Sequence, residues 1–266
     1  MALVAPAGPV DDAIIDRATR RCRALGLDPV LGSAARERTG YLAGSDADRA
    51  GDLTRAITGE AAAIWALRGG YGTLRTLEHV ELTPLRERPK PFIGFSDNTA
   101  VHLALLRNGV VSFHGPLAGS EHFPAATEAA FRAVVMSAEP AGELTLPDAS
   151  EPGAVVEGTA EGPLVGGNLS LLAAACGTRY QPDTRGAILF LEDVAEPPYR
   201  IDRLLTQLRL AGLFDEVAAV ALGEFGDGNG TDTDSAEVGS GSEAVSTSPE
   251  LRALFAELLG PLDVPV

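Results

Sequence analysis

"PFIGFSDNTAVHLALLRNG", Pro91 to Gly109, joins a five-residue apolar run to a second apolar pattern of helical period, with Gly94, Ser96, Asp97 and Asn98 at the join. The first run predicts a strand and the second a helix that Gly109 ends. A serine at such a join has two readings. On a sharp strand-to-helix turn its hydroxyl meets the positive end of the helix, and the backbone N–H groups just past it can receive an oxyanion, which suits a nucleophile. Ser, Asp, Asn and Thr are equally good helix caps, and the triplet Gly94-Phe95-Ser96 by itself favours the cap.

The alternation of strand and helix continues on both sides. "ALVAPAGPV" reads as a buried strand ending in a Pro/Gly turn, and "DDAIIDRATRRCRALG" as a helix with an acidic start and Gly26 as its stop. "RAGDLTRAITGE" keeps helical period, "AAIWALRG" is a continuous apolar strand that breaks into "RGGYG", "TLRTLEHV" is helical, and "VVSFHGP" is strand again. This order predicts an α/β layer with a mainly parallel sheet covered on both faces, and ligands beyond the carboxyl ends of its strands. The loops 68–72 and 94–98 lie at such ends.

Between Thr145 and Gly162 the chain turns rich in Pro, Gly and acids, which predicts an N-terminal domain over 1–148, a linker over 149–162 and a C-terminal domain over 163–266. In the latter, "GPLVGGNLSLLAAACGT" reads as a glycine turn feeding a helix, "GAILFLEDV" as a strand ending in acids, "YRIDRLLTQLRLAGLF" as an amphipathic helix and "VAAVALGEF" as a strand. The acidic Gly/Ser-rich stretch 226–249 carries almost no large apolar side chains and predicts a mobile loop; its aspartates lack the ligand spacing of a calcium loop.

A formal net charge of −16 over 266 residues disfavours nucleic acid and anionic membrane as partners and points to a small-molecule or peptide substrate. Cys22 and Cys176 stand far apart with no partner at metal spacing, so neither a disulfide framework nor a metal site is expected. The first residues have no basic lead before Pro6 and Pro9, and no run of eighteen apolar residues follows, which predicts a cytoplasmic protein.

Three features carry candidate chemistry. In Arg68–Gly72, Gly69 and Gly70 can aim their amides at a ligand and Tyr71 can close over it, although a plain strand-to-helix turn has the same composition; the loop matches neither the dinucleotide fingerprint nor the Walker loop. Glu192 and Asp193 end a hydrophobic strand, where a carboxylate is costly unless partnered. One could orient a histidine base; equally, these acids could cap the next helix or pair with Arg200 and Arg203. Of the histidines, His102 lies about 240° round the helix from Ser96, and His114, ending a neighbouring strand, reads as a packing or substrate-lining residue.

Taken together, "YLAGSDADRAGDL", "ALRGGYGTLRTL", "PFIGFSDNTAVHLALL", "FHGP", "GPLVGGNLSLLAAACGT" and "AILFLEDVAEPPYRIDRLLTQLRLAGLF" resemble the LD-carboxypeptidase family of serine peptidases, which includes the microcin C immunity peptidases. The resemblance implies a Rossmann-like or amidotransferase-like N-terminal layer, a smaller C-terminal domain with a β-barrel-like core, and an active site between them. It implies Ser96 as nucleophile, Glu192 as the triad acid, and Gly70 and Asp97 as oxyanion-hole amides; the loop and strand-end readings add Arg68, Gly69, Tyr71 and His114 as candidate substrate-binding residues.

The implied reaction releases a terminal D-alanine from a murein tetrapeptide in the cytoplasm, by a homodimer with neither metal nor cofactor. Cleavage of an aminoacyl or peptidyl nucleotide, and peptide binding without turnover, are the alternatives. The family's triad histidine falls in a Gly-His pair a few residues after a strand resembling "LDVPV", and the chain given ends at Val266, so impaired catalysis is expected of this form.

Overall fold

The computed structural model describes residues 1–143, 153–194, 196–225 and 249–266. The first strand β1 (Ala2–Val4) leads into α1 (Asp12–Ala24), and a short β2 (Val30–Leu31) is followed by α2 (Asp46–Thr58). Next come β3 (Ile64–Ala66), the short helices α3 (Thr73–Leu77) and α4 (Pro84–Glu87), β4 (Phe92–Gly94), α5 (Thr99–Arg107), β5 (Phe113–His114) and α6 (Ala125–Val135). Five parallel strands stand in the order β2-β1-β3-β4-β5. The order reverses at β1 and β3, so the loops leaving their carboxyl ends diverge and open a crevice there.

Side-chain alternation along each strand assigns the two faces of this sheet. Val4, Ile64, Ala66 and Phe92 pack with Leu53 and Ala56 of α2, Leu77 of α3 and Val101 of α5. Leu3, Trp65 and Ile93 point the other way, onto Ile15, Ala18 and Cys22 of α1 and Phe131 of α6. Strands of three residues suffice because both faces are covered. Helix α6 and strand β2 give no sequence signal strong enough to predict them. Trp65 explains α6, since its ring stacks on Phe131 at 4.6 Å and its Nε1 donates to the Pro116 carbonyl at 2.7 Å.

The second part holds β6 (Leu164–Asn168), α7 (Leu169–Ala175), β7 (Ile188–Asp193), α8 (Pro198–Leu210), β8 (Ala219–Phe225) and α9 (Pro249–Leu259). Its described strands form a three-stranded parallel sheet, β6-β7-β8. Leu189, Leu191 and Val220 pack under Leu172, Leu205 and Phe255, and Leu103 of α5 joins this core, so one helix serves both sheets. Of the expected linker, residues 149–152 lie outside the described residues, while Val155 and Val156 bond to the Val266 backbone. The loop expected over 226–249 also lies outside them, apart from Pro249, which opens α9.

Strand β6 is the main departure from the sequence reading, which takes "VGGN" for a turn. Glycine pairs normally punctuate strands, but here they are required within one. Gly166 and Gly167 both have φ of +141°, and a Cβ on Gly166 would fall 1.9 Å from the Phe190 carbonyl oxygen of β7. On Gly167 it would strike Thr99 Oγ1 at 2.8 Å and approach His114 Nδ1 at 3.2 Å. Gly166 thus lets β6 lie close against β7 within its own sheet, and Gly167 lets β6 approach the N-terminal layer at Thr99 and His114. Gly166→Ala is expected to lower stability by more than about 2 kcal/mol in thermal or urea unfolding; a loss no larger than that of an exposed strand Gly→Ala change would contradict the stated contact.

Candidate active site

The site assembles from the carboxyl ends of β1, β3 and β4 on one side and of β7 on the other. After β4 the chain runs extended through Phe95 and then reverses at Ser96, whose φ is +60°. A non-glycine residue in the left-handed region costs about 1–3 kcal/mol and persists only where its surroundings impose it. Ser96 opens a 3-10 turn, Ser96–Asn98, that runs into α5, and its hydroxyl caps neither. The cap reading of the serine is therefore not met; the sharp elbow is.

Gly69 lies directly against that elbow: a Cβ there would stand 3.1 Å from Ser96 Oγ. Gly70, with φ of +104°, turns its backbone beside Gly8, and the Gly8 amide donates to the Gly69 carbonyl at 3.0 Å. The Gly70 amide has no acceptor within the described protein. The Asp97 amide heads the helical turn, where no preceding carbonyl of the helix exists to receive it.

The Asp97 side chain has a separate task. It is 3% exposed and accepts from the Thr73 amide at 2.8 Å and from the Thr73 hydroxyl, so it joins the serine elbow to the first residue of α3. Burial pushes its carboxyl above the usual carboxylate range, and the Thr73 bonds oppose that shift. Buried Arg49 secures the other end, donating to the carbonyls of Pro6 at 3.1 Å and Gly44 at 2.8 Å, to Thr76 Oγ1 at 2.9 Å, and to Asp46.

At the end of β7 the two acids separate in role. Asp193 accepts from Asn168 Nδ2, from the Ser170 amide and hydroxyl, and from the Val194 amide at 2.8–3.0 Å, which makes it a structural clamp on the start of α7. Arg200 pairs with Glu196 and Arg203 lies over Tyr199, so neither arginine takes these acids. Glu192, 4% exposed, keeps Oε1 without a hydrogen bond. His114 Nε2 stands 3.4 Å from that oxygen, within electrostatic reach but outside hydrogen-bond geometry, and both ring nitrogens of His114 lack partners.

The structure thus brings His114 to the acid across the two sheets, with no hydrogen bond to Ser96. His102 has both nitrogens committed: Nε2 donates to the Gly94 carbonyl at 3.0 Å, which leaves Nδ1 to accept from Ser112 Oγ at 2.8 Å. It buttresses the elbow.

The remaining candidates, Arg68, Gly70 and Tyr71, face a cleft of about 650 Å³ at the β1/β3 crevice, together with Gly8, Arg38 and Tyr41. Tyr41 packs edge-on against Tyr71 with ring centroids 5.7 Å apart. Arg38 and Tyr41 escape the sequence reading because only the tertiary fold carries the loop after β2 to this crevice. Among the described residues no cluster of three or more His, Cys, Asp or Glu could hold a metal ion. No described helix is long and apolar enough to cross a membrane.

A serine at a strained strand-to-helix elbow, with its hydroxyl against a glycine loop that offers a free amide, points to a hydrolase of the serine-nucleophile class. Residues 1–115 match the LD-carboxypeptidase N-terminal domain and residues 161–266 the LD-carboxypeptidase C-terminal domain, so the chain belongs to the LD-carboxypeptidase family. It is 38% identical over 229 residues to the "Probable murein peptide carboxypeptidase" of Bacillus subtilis, covering 84% of this chain and 71% of that one. The crystal structure of muramoyltetrapeptide carboxypeptidase from Oxalobacter formigenes superposes with a TM-score of 0.79 at 31% identity, over 100% of this chain and 86% of that one. The structure of MccF in complex with glutamyl sulfamoyl guanosine superposes with a TM-score of 0.80 at 21% identity, covering 100% and 85%, a likeness of fold.

The His102 environment sets a pH signature for stability. Burial, with the nearby His114 ring adding and the Gly94 carbonyl opposing, pushes its pKa from 6.5 down to about 3. Between those values the unfolded chain takes up a proton that the folded protein refuses. The His102 contribution is therefore full above pH 6.5 and lost as pH falls, by up to about 1.4 kcal/mol per pH unit. Urea unfolding from pH 7 to 4 is expected to show a steeper loss for the parent than for His102→Gln; parallel curves would mean that His102 protonates freely in the folded state.

Proposed function

We propose that this protein is a serine carboxypeptidase that releases a terminal D-amino acid from murein-derived tetrapeptides by cleaving an L,D peptide bond. The observation that carries the reading is the elbow: Ser96 at positive φ, with its hydroxyl against Gly69 and free of capping duty, beside the unengaged Gly70 amide. Support for the murein peptide comes from relatives named for that substrate, the Bacillus subtilis and Oxalobacter formigenes proteins among them.

In this mechanism Ser96 Oγ attacks the carbonyl carbon of the penultimate residue. The charge that develops on the carbonyl oxygen is taken by the amides of Gly70 and Asp97, which stand ready without reorganisation. The tetrahedral intermediate collapses with expulsion of the D-amino acid, and water then hydrolyses the acyl-enzyme. Glu192 orients and stabilises a histidine that moves the protons, and its orphaned Oε1 is the acceptor such an imidazole requires. His114 helps hold that carboxylate from the other sheet, with Arg68, Gly69 and Tyr71 against the peptide.

On this reading residues 1–148 carry the nucleophile and 163–266 the acid, and the enzyme acts as a homodimer in the cytoplasm. Size-exclusion chromatography with light scattering checks the dimer. The chemistry is tested by incubation with L-Ala-D-Glu-meso-diaminopimelate-D-Ala, reading D-alanine with D-amino acid oxidase, on the chain and on one continued through a relative's Gly-His segment. Ser96→Ala is expected to lower kcat/KM by about a thousandfold or more, and Glu192→Gln by about a hundredfold or more, with binding retained. Absence of D-alanine from both proteins would overturn the proposal, as would full activity in Ser96→Ala.

A further inference from the structure

We propose that Arg38, framed by the Tyr41–Tyr71 pair, is a carboxylate-binding subsite that selects the peptide substrate; this rests on the carboxypeptidase reading above. The cleft at the β1/β3 crevice contains two guanidinium groups, Arg38 and Arg68, and among the described residues that line it none is acidic. In a protein of net charge −16, an anionic peptide is repelled by most of the surface and needs a local cationic well to dock. The cleft is that well, and it opens beside the Gly70 amide.

The two arginines differ in what they already hold. Arg68 Nη1 donates to the Pro9 carbonyl at 2.8 Å, which ties it to the loop after β1. Arg38 makes no hydrogen bond or ion pair among the described residues, while its neighbours Arg36 and Arg49 are committed to Asp12 and Asp46. An exposed guanidinium without an acidic partner keeps its planar donor fork available for bidentate recognition of a carboxylate.

The support around Arg38 is built rather than loose. Asp52 accepts from the amides of Ser33 at 3.0 Å and Ala34 at 2.6 Å, anchoring the start of the loop. Thr39 and Leu42 exchange backbone hydrogen bonds at 2.9 and 3.1 Å across a tight turn whose Gly40 has φ of +62°. The Ala43 amide donates to the Ala7 carbonyl at 3.0 Å, and Arg49 holds the Gly44 carbonyl. The turn therefore presents Tyr41, 66% exposed, to Tyr71, 55% exposed. Two large aromatic rings held in water on one wall of a cleft give a flat apolar surface with hydroxyl tips, suited to the backbone of a short peptide.

A tetrapeptide substrate offers a carboxylate from two sources: its C-terminus, adjacent to the scissile bond, and its side chains or branch carboxyls farther away. Isothermal calorimetry on the Ser96→Ala protein, which binds without turnover, separates them. The probes are the murein tetrapeptide, its C-terminal carboxamide, and analogues amidated at the diaminopimelate or glutamate carboxyl. Arg38→Ala is expected to weaken tetrapeptide binding about tenfold or more, with Arg38→Lys in between. One amidated analogue should bind equally whether or not the Arg38→Ala change is present, and that analogue identifies the carboxylate held.

Unchanged melting temperatures confirm that the exposed substitutions leave the fold intact. Arg38→Ala binding within twofold of the parent, or an equal loss for every analogue, would overturn the subsite while leaving the carboxypeptidase reading in place. Failure of the tetrapeptide to bind even with Arg38 present would overturn both.

Discussion

The buried carboxylate of Asp97 holding the Thr73 amide and hydroxyl is the constraint on which the rest of the site depends. It spans two adjacent βα loops, that of β4 with the serine and that of β3 with the glycines. The oxyanion hole proposed at the Gly70 and Asp97 amides, which come from two different loops, requires their separation to be set before substrate arrives. Burial makes this carboxylate costly to ionise, so without its Thr73 donors it would have no reason to stay inside. Arg49 repeats the device one loop further on, tying the ends of β1 and α3 to the turn that bears Tyr41.

The second constraint is the seam between the sheets. Glycines at 166 and 167 allow β6 to lie against β7 and against Thr99 and His114. The Asn168 amide donates to Thr99 Oγ1 at 3.1 Å, and α5 contributes Leu103 to the core of the second sheet. Ser96 and Glu192 therefore belong to different sheets but to one packed body. His114 stands at the middle of the seam, its ring 5.0 Å from Phe95 and 5.6 Å from both His102 and Phe190. Among the described residues both ring nitrogens of His114 and Oε1 of Glu192, gathered here, have no hydrogen-bond partner, an arrangement costly in a stable core.

The adjacent acids at 192 and 193 show how tertiary context separates two residues of like chemistry. Asp193 spends both oxygens on four donors around the start of α7 and becomes part of the scaffold. Glu192, its side chain on the opposite face of the same strand, retains a free oxygen. One acid builds the frame and the next keeps an oxygen without a hydrogen bond, which is why the proposed mechanism uses Glu192.

Local periodicity made much of the α/β layer legible: the apolar runs at 64–66 and 92–94, the helix after Ser96 and the glycine stop at 109 all follow from rules that act within a few residues. The motif order around "RGGYG", "GFSD" and "FLED" also made the family legible, because spacing across the whole chain restricts choice more than any one triplet. Strand β6 was not, since Gly166 is required by the Phe190 carbonyl of another strand and Gly167 by Thr99 and His114. Nor were α6, whose warrant is the far side of Trp65, or the arrival of Arg38 at the crevice. Each of these depends on contacts between residues far apart in the chain. Only the folded packing of the two sheets supplies such contacts, and a linear pattern carries no measure of them.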